Sequence, residues 1–205
     1  MDIGSGVIYS FQVRLPLDAK PHTLVLGTMA SIESLQRGES YGHPHNAFWH
    51  IIGRRFGFER ATTPYEDQVA RLTGQGFALW DVLHSCEREG SLDSNIKNEK
   101  PNDIAALLAR CTSIRRVCLN GQGAAGFFRK HIMTGEVLQL YEWTLVNDSA
   151  RKVFGRHVAS SSSSTSVAGR RAIELAVLPS TSPAYATLRF EQKLEQWTRD
   201  CFSLQ

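Results

Sequence analysis

Thr23-Leu24-Val25-Leu26 is an unbroken apolar run that stops at Gly27. Two further runs share its character: Arg116-Val117-Cys118-Leu119-Asn120, and Leu175-Ala176-Val177-Leu178 with Pro179 behind it. A short apolar run bounded by turn formers suits a strand covered on both faces, which is the condition of strands in a parallel sheet. Segments of helical spacing separate the three runs. That alternation predicts an α/β fold with helices on the faces of the sheet.

Outward from these runs, residues 8–14 alternate weakly and predict an edge strand. A helix is expected at about 46–56. Thr63-Pro64-Tyr65-Glu66 carries the marks of a helix start: a Thr cap, a Pro at the first position and a Glu placed to close a capping box. That helix should run to about Leu72, before Gly74 and Gly76. Further helices are expected from Pro101 to about Cys111, from Gly123 to Lys130 and at about 184–201. In the last, Phe190, Leu194, Trp197 and Cys201 recur at helical spacing and predict core. Leu138 to Trp143 would add a strand. The stretch at about 147–172, with five serines at 160–164, reads as a polar, mobile insertion that buries too little apolar area to offset the entropy of ordering.

The 205 residues suffice for one core, so a single domain over 1–205 is expected. With 42% hydrophobic and 21% charged residues, the composition excludes a disordered tail, a collagen-like fibre and a disulfide-dense miniprotein. No apolar run has the length of a membrane-spanning helix, and Met1-Asp2-Ile3-Gly4 lacks the pattern of a secretory signal. A soluble cytoplasmic protein without a membrane partner is therefore expected. Cys86, Cys111, Cys118 and Cys201 show no paired spacing, which argues against a cysteine-built zinc site; Cys111 and Cys118 read as reduced core residues. Net charge is +3, with 17 Arg among the 23 basic residues. Arg forks onto phosphate oxygens, so the composition suits nucleic acid, and it suits an ordinary solvated surface as well.

Tyr41-Gly42-His43-Pro44-His45-Asn46-Ala47-Phe48-Trp49 is the stretch richest in chemistry. It follows the first buried strand and enters a helix. Ligands of parallel α/β sheets bind outside the carboxyl ends of the strands, so this stretch and Gly27-Thr28-Met29-Ala30-Ser31 should face one crevice. Asn46 is a candidate for chemistry there and equally a candidate helix cap. His43, His45 and His50 have the makings of a metal set, but no carboxylate or Cys lies at useful spacing, and no metal is expected. Gly121-Gln122-Gly123-Ala124-Ala125-Gly126 matches a dinucleotide loop in outline, with Glu142 downstream. The short, basic continuation favours a plain strand-to-helix turn, and no cofactor is expected. Asn120 ends a strand with an amide suited either to the edge of a nucleobase or to tying its own turn. Pro179-Ser180-Thr181-Ser182-Pro183 is a stiff loop with three hydroxyls that can meet phosphate oxygens, while Ser182 is also placed to cap the final helix with Pro183 at its first position.

Together these motifs resemble the uracil-DNA glycosylase superfamily, and within it the hypoxanthine (deoxyinosine) DNA glycosylase branch. The matching pieces are Leu26 to Ser31, Tyr41 to Trp49, Leu79 to Cys86, Gly90 to Ser94, Leu119 to Gly121, and Leu178 to Ala184, in that order. The resemblance implies a three-layer αβα sandwich with a short, mostly parallel central sheet. It implies a monofunctional enzyme that flips a deaminated base out of DNA and hydrolyses its N-glycosidic bond, leaving an abasic site. Hypoxanthine is the expected base, with uracil or xanthine possible substrates. Asn46 would be catalytic. Gly27, Thr28, Met29, Ala30, Tyr41 and Asn120 would hold the base. Ser31, His43, Ser180, Thr181 and Ser182 would contact the DNA. A monomer acting on DNA with a deaminated base, without metal or cofactor, is the expectation. Met29 stands where mismatch-specific uracil glycosylases carry Asn or Asp. Two alternatives follow: a uracil-preferring enzyme of the same fold, and a damaged-DNA binder that does not cleave.

Overall fold

The structure, a computed structural model, describes residues 6–161 and 170–203. Five parallel strands form the central sheet: β2 (Thr23–Gly27), β3 (Phe77–Asp81), β6 (Arg116–Asn120), β7 (Tyr141–Leu145) and β8 (Arg171–Leu178), in the spatial order β3-β2-β6-β8-β7. The three apolar runs are its three central strands. Their side chains alternate between two cores. Leu24, Leu26, Val117, Leu119, Ile173, Leu175 and Val177 enter one; Val25, Cys118, Ala176 and Leu178 enter the other. Burial on both faces explains why the strands read as continuous apolar sequence. The four cysteines are buried and free.

Helices cover both faces. α2 (Phe48–Phe56), α3 (Tyr65–Gly74) and α8 (Phe190–Asp200) carry Trp49, Ile52, Leu72 and Trp197 into the second core. α4 (Ile104–Arg110), α5 (Gly121–His131) and α7 (Asp148–Ser161) carry Leu108, Phe128 and Phe154 into the first. Two short helices, α1 (Ile32–Arg37) and α6 (Gly135–Leu140), complete the layers. This is the expected α/β sandwich of three layers.

Several boundaries differ from the sequence reading. The expected edge strand at 8–14 shrinks to β1 (Val7–Tyr9), and from the rest of it a single antiparallel bridge joins Arg14 to Leu79 of β3. β1 belongs to a second, antiparallel sheet of order β1-β4-β5, with β4 (Leu83–Glu87) and β5 (Lys97–Pro101). Pro101 therefore ends a strand rather than opening a helix, and α4 is capped by Asp103, whose Oδ1 accepts from Ala106 N–H at 2.9 Å. The strand expected at 138–143 begins only at Tyr141, because α6 occupies the preceding residues. The final helix starts at Phe190, leaving 183–189 as loop, and Arg189 rather than Ser182 is its cap. Within the stretch expected to be a mobile insertion, residues 148–161 form α7, since Ala150 and Phe154 are fully buried at helical spacing. Residues 162–169 of that stretch lie outside the described residues.

Candidate active site

A cavity of about 420 Å³ opens at the carboxyl edge of the sheet. It is lined by the exits of β2, β3, β6 and β8, and within the range of small-ligand sites. Gly27 to Ser31, Tyr41, Asn46, Asn120 and Ser180 to Ser182 all line it. The motifs separated in sequence thus meet at one place. His43 does not reach the lining; its Nδ1 accepts from His45 N–H at 3.1 Å on the loop outside.

The loop carrying Tyr41 and Asn46 is held by a residue the sequence did not single out. Arg60 donates from Nη1 to the carbonyls of Pro44 (3.1 Å) and Asn46 (2.9 Å). From Nη2 it donates to those of Tyr41 (3.4 Å), Gly42 (3.2 Å) and His43 (3.0 Å). The loop is wrapped around one guanidinium. Gln68 of α3 fixes Arg60 in turn, its Nε2 donating to the carbonyls of Arg60 at 3.2 Å and Thr63 at 2.7 Å. Thr63 therefore acts as a backbone acceptor and not as the expected side-chain cap. Within the clamped loop Tyr41 adopts a left-handed backbone, φ 56°. Its ring stacks on Phe48, with centroids 4.1 Å apart and planes 19° off parallel. One face of the tyrosine is thereby used by the core.

Asn46 precedes α2, and its Oδ1 accepts from Phe48 N–H at 3.0 Å. The cap role and the cavity role coexist: the oxygen is engaged by the helix start, and the amide nitrogen is left as a donor. The donor at Phe48 also settles which end of the amide is which.

Asn120 is buried and tied to the loop after β8. Its Nδ2 donates to Thr181 Oγ1 at 2.8 Å, and its Oδ1 accepts from Thr181 N–H at 3.0 Å. Thr181 is 1% exposed, and its carbonyl accepts from Ala47 N–H at 2.9 Å. This corrects the expectation that the Thr181 hydroxyl meets DNA: it is turned inward and positions Asn120. Ser182 Oγ accepts from Ala184 N–H at 3.3 Å, and Ser180 Oγ from Ser182 N–H at 3.2 Å, so both serines shape the loop. The loop is stapled from α8. Trp197 Nε1 donates to Pro179 O at 3.0 Å, and the buried Lys193 donates to Tyr185 O at 2.8 Å.

The floor holds two carboxylates that the sequence reading quoted without a role. Asp81 ends β3 directly beside Gly27, its partner in register. Asp93, in the 3₁₀ turn Asp93–Asn95, accepts from Thr28 Oγ1 at 2.7 Å. The deeply buried Arg88 donates to Ala30 O at 2.5 Å, with its guanidinium 4.0 Å from Asp93 Oδ1. Burial pushes the Asp81 carboxyl up to about 7; the Asp93 charge adds to the rise and Arg88 opposes it. Burial also raises Asp93, against its Thr28 bond and Arg88. Tyr41 Oη is buried beside the Asn120 amide and, among the described residues, completes no hydrogen bond of ordinary geometry; burial and the Asp81 charge hold the phenol above its usual value, against the Asn120 amide.

The glycines of the 121–126 motif have a packing role. Gly121, at φ 95°, turns β6 into α5, and a Cβ there would lie 2.9 Å from Ser180 Cβ. A Cβ on Gly123 would collide with Asp93 and sit 2.9 Å from Thr28 Oγ1. They let α5 close against the cavity wall, as a plain tight turn requires. Among the described residues, no group of three or more His, Cys, Asp or Glu is arranged to hold a metal, and no helix is long and apolar enough to cross a membrane.

No protein-family model matches the chain. Among curated proteins it is 35% identical over 111 residues to a hypoxanthine DNA glycosylase of Methanosarcina acetivorans, covering 54% of this chain and 70% of the relative. It is 30% identical over 106 residues to a hypoxanthine DNA glycosylase of Methanosarcina barkeri, covering 52% and 67%. Among solved structures, it is similar to a Methanosarcina acetivorans protein described as a candidate uracil DNA glycosylase. The TM-score is 0.63 at 26% identity, over 95% of this chain and 98% of the other. The order of the motifs, the crevice in which they meet and these relatives agree: the chain belongs to the hypoxanthine DNA glycosylase branch of the uracil-DNA glycosylase superfamily.

Proposed function

We propose that this protein excises hypoxanthine from DNA by hydrolysing the N-glycosidic bond of a flipped deoxyinosine, leaving an abasic site. DNA glycosylase action on deaminated bases is the activity of its branch. The preference for hypoxanthine, the monofunctional outcome and the residue roles are our reading, as is a single domain acting as a monomer. The observation that carries the roles is the Asn46 amide, at the cavity wall with its oxygen engaged by Phe48 N–H and, among the described residues, no acceptor on its nitrogen.

A paired base is out of reach inside the stack, so the nucleotide must leave it at a cost of a few kcal/mol. In our reading the extruded base enters the cavity beside Tyr41, with Ser31, Ser180 and Ser182 near the DNA backbone at the mouth and His43 on the adjoining loop. Backbone groups of Gly27 to Ala30 face it, and Met29 contributes apolar contact. Rupture of the bond passes through an oxocarbenium-like sugar, and negative charge develops on the base. The free Nδ2 of Asn46 is a donor, so it stabilises that charge rather than taking a proton from water. An amide does not titrate near neutrality and cannot serve as a general base.

Asn46→Ala should lower single-turnover release of hypoxanthine by at least ~100-fold, the scale of one lost transition-state donor, with DNA binding kept. An unchanged rate would remove Asn46 from the mechanism. Matched duplexes with a central inosine, uracil or xanthine test the base preference.

A further inference from the structure

We infer that Asp81 is a second catalytic residue, an acid that donates a proton to the departing purine. This rests on the glycosylase reading and deepens it. Asp81 lines the cavity floor at the end of β3 and is partly buried there. Its backbone is fixed: Asn102 Nδ2 donates to Asp81 O at 2.9 Å, and Val82 N–H donates to Gly27 O at 2.8 Å. Among the described residues no hydrogen bond reaches its carboxyl group, so both oxygens are available to a ligand. The backbone opposite is bare. A Cβ on Gly27 would overlap Asp81 Oδ1 and lie 2.8 Å from Tyr41 Oη, so glycine is what lets both groups approach one point. The second of them, the buried Tyr41 hydroxyl beside the Asn120 amide, also completes no hydrogen bond of ordinary geometry among the described residues. A buried hydroxyl without a hydrogen bond at the bottom of a cavity is costly unless something polar enters, and the open carboxyl group stands beside it.

The charged and titratable groups facing Asp81 are Asp93 and Arg88 from the segment after β4, and Tyr41 from the loop before α2. Asp93 favours the neutral acid, Arg88 disfavours it, and the phenol stays neutral throughout. Burial adds to the first effect, so the group titrates near neutrality rather than in the usual carboxylate range. A neutral carboxylic acid is a hydrogen donor where a carboxylate is not. Purines carry N7, a basic ring nitrogen with no counterpart in uracil.

The Asp81 O–H proton passes to N7 as the C1′–N9 bond breaks, and that bond's electron pair stays on N9, so the base leaves as neutral hypoxanthine. Water adds to C1′ and releases one proton to solvent, from which the Asp81 carboxylate is reprotonated.

The experiment is the pH profile of single-turnover hypoxanthine release from an inosine duplex, for the native chain and for Asp81→Asn. The native rate should be level in acid and fall about tenfold per unit above the titration of Asp81. Asp81→Asn should be ~100-fold slower at the acid end, the usual scale of general-acid catalysis, and flat across the range. Asp93→Asn should move the break to lower pH. Carbon NMR titration of the Asp81 carboxyl in the native chain needs no variant. Its midpoint should coincide with the break. A native rate that does not fall while Asp81 titrates, or an Asp81→Asn variant that keeps the native rate or the native slope, overturns the assignment and leaves the glycosylase reading standing. Absence of hypoxanthine release by the native chain at every pH overturns both.

Discussion

Replacing Arg60 should disable the site without touching its lining. The guanidinium holds five carbonyls between Tyr41 and Asn46 through two nitrogens, so at most two or three bonds are made at full strength at once. The shortest are to Asn46 at 2.9 Å and to His43 at 3.0 Å. A bond to a charged donor nets about 1.5–3 kcal/mol, and Arg60 is only partly buried, so the clamp contributes about 2–4 kcal/mol in all. It also opposes the strain at Tyr41, where a left-handed backbone costs on the order of 1 kcal/mol or more. If the loop alone relaxes in Arg60→Ala, a loss of about 2 kcal/mol shifts its equilibrium roughly thirtyfold away from the competent form. The single-turnover rate should fall by up to that factor. Denaturant midpoints should show a smaller loss than the rate, because α2 and α3 remain packed through Trp49 and Leu72. Lysine, with a compact ammonium, should recover only part of the deficit. The assay is single-turnover excision beside urea unfolding for Arg60→Ala and Arg60→Lys. A folded Arg60→Ala protein with the native excision rate would refute the claim that this cation positions the loop.

Two further substitutions probe the floor. Gly27→Ala forces a methyl against Asp81 and Tyr41 Oη and should cost about 1–3 kcal/mol, the usual penalty of overpacking, with excision largely lost; unchanged thermal unfolding would mean that the floor yields easily. Tyr41→Phe removes a buried hydroxyl that has no partner, so stability should stay within about 1 kcal/mol of native or rise. Excision should hold within about threefold if the ring acts by stacking, a contribution of the aromatic face alone, and a much larger loss would show that the hydroxyl touches the base.

The central sheet was legible because β2, β6 and β8 are buried on both faces and advertise it as apolar runs. The crevice followed from where those runs end, which placed Asn46, Tyr41 and Asn120 near one another. The second sheet was not legible. β5 is Lys97-Asn98-Glu99-Lys100-Pro101, an exposed edge without alternation, and its pairing with β4 is irregular. α7 was hidden by its serines, although Ala150 and Phe154 repeat at helical spacing and were the available signal. Arg60 looks like any loop arginine until the carbonyls around it are seen. Asp81 could have been found: it is the last residue of an apolar segment, at the edge where ligands bind. The direction of Thr181 was not legible, because a hydroxyl in a polar loop says nothing about where it points until its bonds to Asn120 are seen.

The loop at 179–185 is anchored at both ends from one helix, by Trp197 at Pro179 and by Lys193 at Tyr185. Those two anchors stand four residues apart on α8, one turn of a rigid rod. A segment secured in this way is preorganised, and little conformational entropy remains for an arriving duplex to remove. Docking at this rim should therefore behave as a rigid-body encounter, its rate governed by diffusion and ionic strength, with the slow rearrangement confined to the nucleic acid.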